Sequence, residues 1–111
     1  MLERGSGVIL MITATTSRIG WPLVGGFGTA GAALECLSRQ LAAELGPGGV
    51  GLVCRRSAGS PESIRETFDG LAAGNKVIRD EFIASLEDMT LLKRLPSLAD
   101  VGNVAALMAS D

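Results

Sequence analysis

The 111-residue sequence contains no histidine, which removes the serine–histidine–acid triad, the cysteine–histidine dyad and the usual zinc sites at once. Cysteine is almost as scarce. Cys36 and Cys54 sit in apolar stretches without C-x-x-C spacing, so they read as buried free thiols. Positive charge is not in excess either: 10 Lys and Arg against 12 Asp and Glu give a formal net charge of −2. That balance leaves no basic surface for nucleic acid or an anionic membrane. No apolar run approaches the roughly 20 residues that span a bilayer, and Met1-Leu2-Glu3-Arg4-Gly5 is not a signal-peptide start. The expectation is a cytoplasmic protein without membrane or nucleic-acid partners.

What is present is the composition of a folding chain. Hydrophobic residues make up 47% and charged residues 20%, which is globular rather than disordered. The length suits a single domain, 1–111, with one core and no linker or repeat.

Gly7-Val8-Ile9-Leu10-Met11-Ile12-Thr13-Ala14 is a nearly continuous, β-branched apolar run, as expected of a parallel strand covered on both faces. Thr15 to Gly28 is rich in Thr, Ser, Gly and Pro and reads as a long loop. From Thr29 to Leu45, the residues Ala30, Ala33, Leu34, Leu37, Leu41 and Leu45 recur at helical spacing, and Gly46-Pro47-Gly48 supplies the stop. Ala32, Cys36 and Ala43 form a second stripe of small residues, open to close approach by another backbone. Val50 to Cys54 then reads as a second strand, completing a βαβ unit.

Three helices are expected to follow. Ser60-Pro61-Glu62 opens one, with serine as N-cap, proline at the first helical position, and an apolar face of Ile64, Phe68 and Leu71; it stops near Gly74-Asn75. Lys76 to Leu86 carries Ile78, Phe82 and Leu86 on one side. Ser97-Leu98-Ala99-Asp100 resembles a capping box, with aspartate in the glutamate place, ahead of a face made by Val101, Val104, Ala105 and Met108.

Three segments carry a resemblance. Arg4-Gly5-Ser6-Gly7-Val8-Ile9-Leu10, the helix ending Leu41-Ala42-Ala43-Glu44-Leu45-Gly46, and Arg94-Leu95-Pro96 leading to Asp100-Val101 and Ala109-Ser110-Asp111 come in an order that resembles the short-chain dehydrogenase/reductase family across essentially the whole chain. The resemblance implies part of a doubly wound parallel sheet that binds NAD(P)(H), with this chain similar to its fifth and sixth strands. The expected fold is α/β and partial Rossmann-like: a βαβ unit followed by three helices, lacking the N-terminal cofactor-binding strands. The family's serine, its tyrosine thirteen positions on and its lysine four beyond that fall at Ala14, Phe27 and Gly31. A one-residue slip would offer Thr13 or Thr15 for the serine but would restore neither other group. Ser57-Ala58 stands where the family usually has Pro-Gly.

Three constellations invite other readings. Gly26-Phe27-Gly28-Thr29-Ala30-Gly31 satisfies G-x-G-x-x-G and runs towards Arg55-Arg56, imitating an NADP site. The preceding Trp21-Pro22-Leu23-Val24 makes a poor strand, so the pattern reads as coincidence and at least one of the arginines is expected in solvent or paired with an acid. Thr13, Thr15, Thr16 and Ser17 cluster where a ligand-facing edge should be, but the sequence sets no acid or histidine beside them, which leaves loop hydrogen bonding. Glu62, Glu66 and Asp69, at helical spacing, read as a solvated face rather than a catalytic carboxylate pair.

The reading is therefore a family member or fragment with no catalytic, cofactor-binding or metal residues, without classical NAD(P)-dependent oxidoreductase activity, acting as an association module or relic and forming a homodimer. No cofactor is expected. The alternative is an oxidoreductase or other enzyme that uses the polar loop or the GFGTAG turn for a nucleotide, NADP included, or for a small polar ligand.

Overall fold

The computed structural model describes residues 1–57, 59–62 and 65–110. The chain is α/β, with a two-stranded parallel sheet and four helices: β1 (Gly7–Ala14), α1 (Phe27–Leu45), β2 (Val50–Ser57), α2 (Arg65–Gly74), α3 (Arg79–Asp88) and α4 (Leu98–Ala109). Short 3-10 turns occupy Leu2–Arg4, Thr15–Ser17 and Gly46–Gly48. Two compact units are formed, Met1–Ser57 with Asn103–Asp111, and Ala58–Gly102.

In the first unit β1 and β2 pair in register from Gly7 opposite Val50 to Ala14 opposite Ser57. The second strand runs three residues past the expected end at Cys54. Arg55, Arg56 and Ser57 find backbone partners at Ile12, Thr13 and Ala14, so the ladder continues where the apolar pattern stops. Between the turn after α1 and β2 stands Gly49 at φ 79°, and a Cβ there would lie 2.0 Å from the Gly5 carbonyl oxygen. Only glycine meets both conditions.

α1 begins at Phe27, two residues before the expected Thr29. The Phe27 N–H donates to Val24 O (3.1 Å) and the Ala30 N–H to Gly26 O (2.9 Å), drawing the glycines into the first turns. Its phase also differs from the expectation. Gly28, Gly31, Leu34, Glu35, Ser38, Leu41 and Leu45 are the covered residues, whereas Ala30, Ala33 and Leu37 are exposed. With apolar residues on both sides of the helix, periodicity alone cannot choose the inward face, and the buried Glu35 and Ser38 decide it. Cys36 is consequently exposed and Cys54 half-buried, which corrects the reading of both as buried.

The second unit is held by an apolar cluster of Phe68, Ala72 and Phe82, with Leu71, Ile83, Leu86 and Leu95 packed against it. The two rings meet edge to face at a centroid distance of 6.3 Å, a favoured aromatic geometry. α2 starts at Arg65 rather than at Pro61; Pro61 and Glu62 form a turn, and the Pro61 carbonyl accepts a hydrogen bond from Arg79 Nη2 (2.7 Å). Ser63 and Ile64, the latter assigned to the apolar face, lie outside the described residues, as does Ala58.

α2 ends as expected near Gly74-Asn75, in a Schellman arrangement: Val77 N–H donates to Ala72 O (3.1 Å) and Lys76 N–H to Ala73 O (3.0 Å). The left-handed residue is Lys76, at φ 58°. Lys76 therefore closes one helix and cannot open the next, which is why α3 begins at Arg79. At the start of α4, Ser97 N–H donates to Asp100 Oδ2 (2.9 Å) and Asp100 N–H to Ser97 Oγ (3.0 Å), the reciprocal pair of a capping box. The Ser97 backbone N–H first, and then the Ser97 side chain, hold the Asp100 carboxyl below its ordinary range. Val101, Val104 and Ala105 are half-buried on α4, but Met108 is exposed. Among the described residues no helix is long and apolar enough to cross a membrane.

Candidate functional site

The polar residues of the first unit converge where β1 and β2 end, and their centre is a residue the sequence did not single out. Glu35, on the third turn of α1, is 7% exposed. Its Oε1 accepts hydrogen bonds from Thr13 Oγ1 (3.3 Å), from Ser17 Oγ and from Arg56 Nε (3.0 Å). Its Oε2 accepts from Arg18 Nε and Arg56 Nη2, both at 3.1 Å. The carboxylate thus joins the end of β1, the turn after it, the helix and the end of β2. Arg56 grips it with two donors, the strongest form of carboxylate recognition.

The expectation that no acid lies beside the Thr/Ser cluster is corrected here. The acid arrives from the helix, 22 positions after Thr13, and only the helix phase reveals it. Thr13 and Ser17 reach Glu35; Thr15 opens the 3-10 turn, and Thr16 Oγ1 is buried without a hydrogen-bond partner among the described residues. Arg56 is paired with an acid, as expected. Arg55 alternates to the other face of the strand.

Chemically the carboxylate is a brace. Its bonds to Arg56 and Ser17, with Arg18 adding to them against the opposing effect of burial, hold its pKa down to about 2. Both oxygens are occupied and the group is ionised at neutral pH. A general base works best with a pKa near the operating pH and with an open lone pair; Glu35 has neither.

Glu62, Glu66 and Asp69 of the second unit do not form a carboxylate pair. Glu62 Oε2 accepts from the Leu98 N–H (2.8 Å) at the start of α4, Asp69 pairs with Arg79 (3.4 Å), and Glu66 is exposed in the first turn of α2. Among the described residues no group of His, Cys, Asp and Glu could hold a metal ion.

The G-x-G-x-x-G segment does not fit a pyrophosphate. No strand leads directly into it, since β1 ends at Ala14, and Gly28 and Gly31 serve close packing of α1 on the turn after β1. A Cβ on Gly28 would lie 2.5 Å from Thr16 O, and one on Gly31 would lie 3.2 Å from Ser17 Cβ. Arg56 spends its Nε and Nη2 on Glu35. Gly28 and Gly31 therefore face the chain's own turn rather than an open phosphate cradle.

Comparison with known proteins agrees with the geometry of the βαβ unit. A family model described as enoyl-(acyl carrier protein) reductase matches residues 1–111. The short-chain dehydrogenase/reductase SDRA of Arabidopsis thaliana is 33% identical over 113 residues, covering 99% of this chain and 39% of that protein. The peroxisomal 2,4-dienoyl-CoA reductase of Saccharomyces cerevisiae is 31% identical over 100 residues, covering 90% of this chain and 32% of its own length. Among solved structures, sorbitol-6-phosphate 2-dehydrogenase from Erwinia amylovora superimposes with a TM-score of 0.85 at 23% identity, covering 100% of this chain and 44% of that one. The chain spans less than half of the length of these relatives, and over that span, by the family model and by fold, it belongs to the short-chain dehydrogenase/reductase family.

Proposed function

We propose that this chain does not carry out the hydride transfer of its family and acts by association, with a second copy of itself as the partner. The observation that carries the reading lies at the start of α1. In the family register the proton-donating tyrosine falls at Phe27, which has no proton to give and is 57% exposed. The lysine falls at Gly31, where a side chain would meet Ser17 at 3.2 Å, and the serine falls at Ala14. The alternative, an enzyme recruiting the polar loop, lacks a base, because Glu35 is ionised and fully bonded.

Association is supported by what the first unit leaves in water. Ala30, Ala33, Cys36 and Leu37 are exposed along one side of α1, and Ile12 of β1 is 51% exposed. At about 25 cal/mol per Å2, burying several hundred Å2 of such surface would contribute on the order of 10 kcal/mol, comparable with the whole stability of a small domain. The α1 face is the leading interface, and edge pairing of β1 is the competing one. An exposed Cys36 thiol suits a reducing compartment, the cytoplasm.

Sedimentation equilibrium over a wide concentration range tests the association. A dimer is expected, with Cys36→Arg shifting it to monomer while circular dichroism stays unchanged. A folded species at monomer mass throughout would contradict it.

A further inference from the structure

The clamp around Glu35 satisfies the carboxylate but not the arginines. Two guanidinium groups face one carboxylate, so the cluster carries one uncompensated positive charge. Arg18 spends only its Nε on Glu35. Its terminal Nη1 and Nη2 have no partner among the described residues, and its side chain is 62% exposed. Arg56 spends Nε and Nη2, leaving Nη1, on a side chain that is 40% exposed.

The two groups also lie close together. Arg18 Nε and Arg56 Nη2 both bond to Oε2 at 3.1 Å, so these nitrogens are no more than about 6 Å apart. Glu35 fixes both arginines in place while leaving donors of each turned to solvent. The free terminal fork of Arg18 beside the remaining Nη1 of Arg56 matches the tetrahedral oxygens of a phosphate, which accept several charge-assisted hydrogen bonds at once. Their position at the carboxyl end of two parallel strands is where α/β sheets bind ligands.

We propose that Arg18 and Arg56, held by Glu35, form a binding site for a dianionic phosphate group. The site uses Arg18, which the G-x-G-x-x-G reading did not include, and it requires neither the Phe27 nor the Gly31 position. It is independent of whether the chain associates or transfers hydride. Glu35 acts as its positioning residue, and Arg18 supplies most of the unused donors.

The test is isothermal titration of the full chain with inorganic phosphate and, separately, with glucose 6-phosphate, against chloride at matched ionic strength. Saturable binding of at least one phosphate compound is expected. Tighter binding of glucose 6-phosphate supports an organic phosphoester as the ligand, and equal affinity supports the free ion. Arg18→Ala should weaken binding about tenfold or more, and Arg18→Lys, which keeps the charge but not the fork, should recover only part of it. Because Arg18 is largely exposed, circular dichroism should be unchanged in both variants. No saturable heat with either compound, a response that chloride reproduces, or unaltered affinity in a folded Arg18→Ala protein would each overturn the proposal.

Discussion

The two units of this chain are stabilised by opposite means. In Ala58–Gly102 two phenylalanine rings and Ala72 exclude water from the contact between α2 and α3. In the βαβ unit Val50 is the one buried hydrophobic residue among the described residues, while Thr13, Glu35 and Ser38 are buried as well. An apolar core depends little on pH or salt. A carboxylate bonded to two arginines depends on both. The difference explains why the βαβ unit keeps its shape around a charge network and still leaves apolar surface exposed.

The largest effect is expected from the aromatic cluster. Phe68→Ala removes one ring of a buried edge-to-face pair, and a loss of about 3–5 kcal/mol is expected. Hydrogen exchange should show faster opening of α2 and α3 with little change in β1 and β2. Equal acceleration in both units would mean that they do not differ as described.

Glu35→Gln should act on the other unit, with a smaller loss at neutral pH and a distinct pH signature. The Glu35 pKa is lowered in the folded chain from 4.5 to about 2. Its stabilising contribution is therefore complete above the unfolded value, declines as pH falls below about 4.5, and is lost through about 2. Thermal denaturation should show the difference between wild type and variant shrinking across that window. High salt should narrow the difference at neutral pH, whereas the Phe68→Ala loss should persist. A constant difference from pH 7 to 2 would show that the carboxylate charge is not what braces the unit.

The smallest change has the opposite sign. Lys76 occupies the left-handed position that ends α2, a conformation that disfavours residues with a Cβ by roughly 1–2 kcal/mol. Lys76→Gly should raise stability by about 1 kcal/mol, less the added flexibility of the unfolded chain. Chemical denaturation measures it, and a loss would mean that Lys76 makes a compensating contact.

The βαβ order, the helix stop at Gly46-Pro47-Gly48 and the capping box at Ser97 and Asp100 were all legible in the sequence, because each rests on local chemistry. The phase of α1 was not. Its apolar residues run along both sides, and the inward side is selected by Arg56 and Thr13, which are distant in sequence. Missing the phase meant missing Glu35, the centre of the site, although Arg56 was already marked as seeking an acid. The missing signal was a long-range pairing. The Lys76 position escaped for a related reason: glycine is the usual signature of a left-handed cap, and here the backbone takes that shape without it.

The most direct test of the central claim is a nicotinamide absorbance assay of the purified chain, with NADH and NADPH, across carbonyl and alcohol substrates. The account predicts no substrate-dependent turnover and no saturable binding of NADH. It also predicts that Phe27→Tyr with Gly31→Lys restores nothing, since Ser17 stands against position 31 at 3.2 Å. Robust turnover by the wild-type chain, abolished by a substitution in that chain, would contradict it.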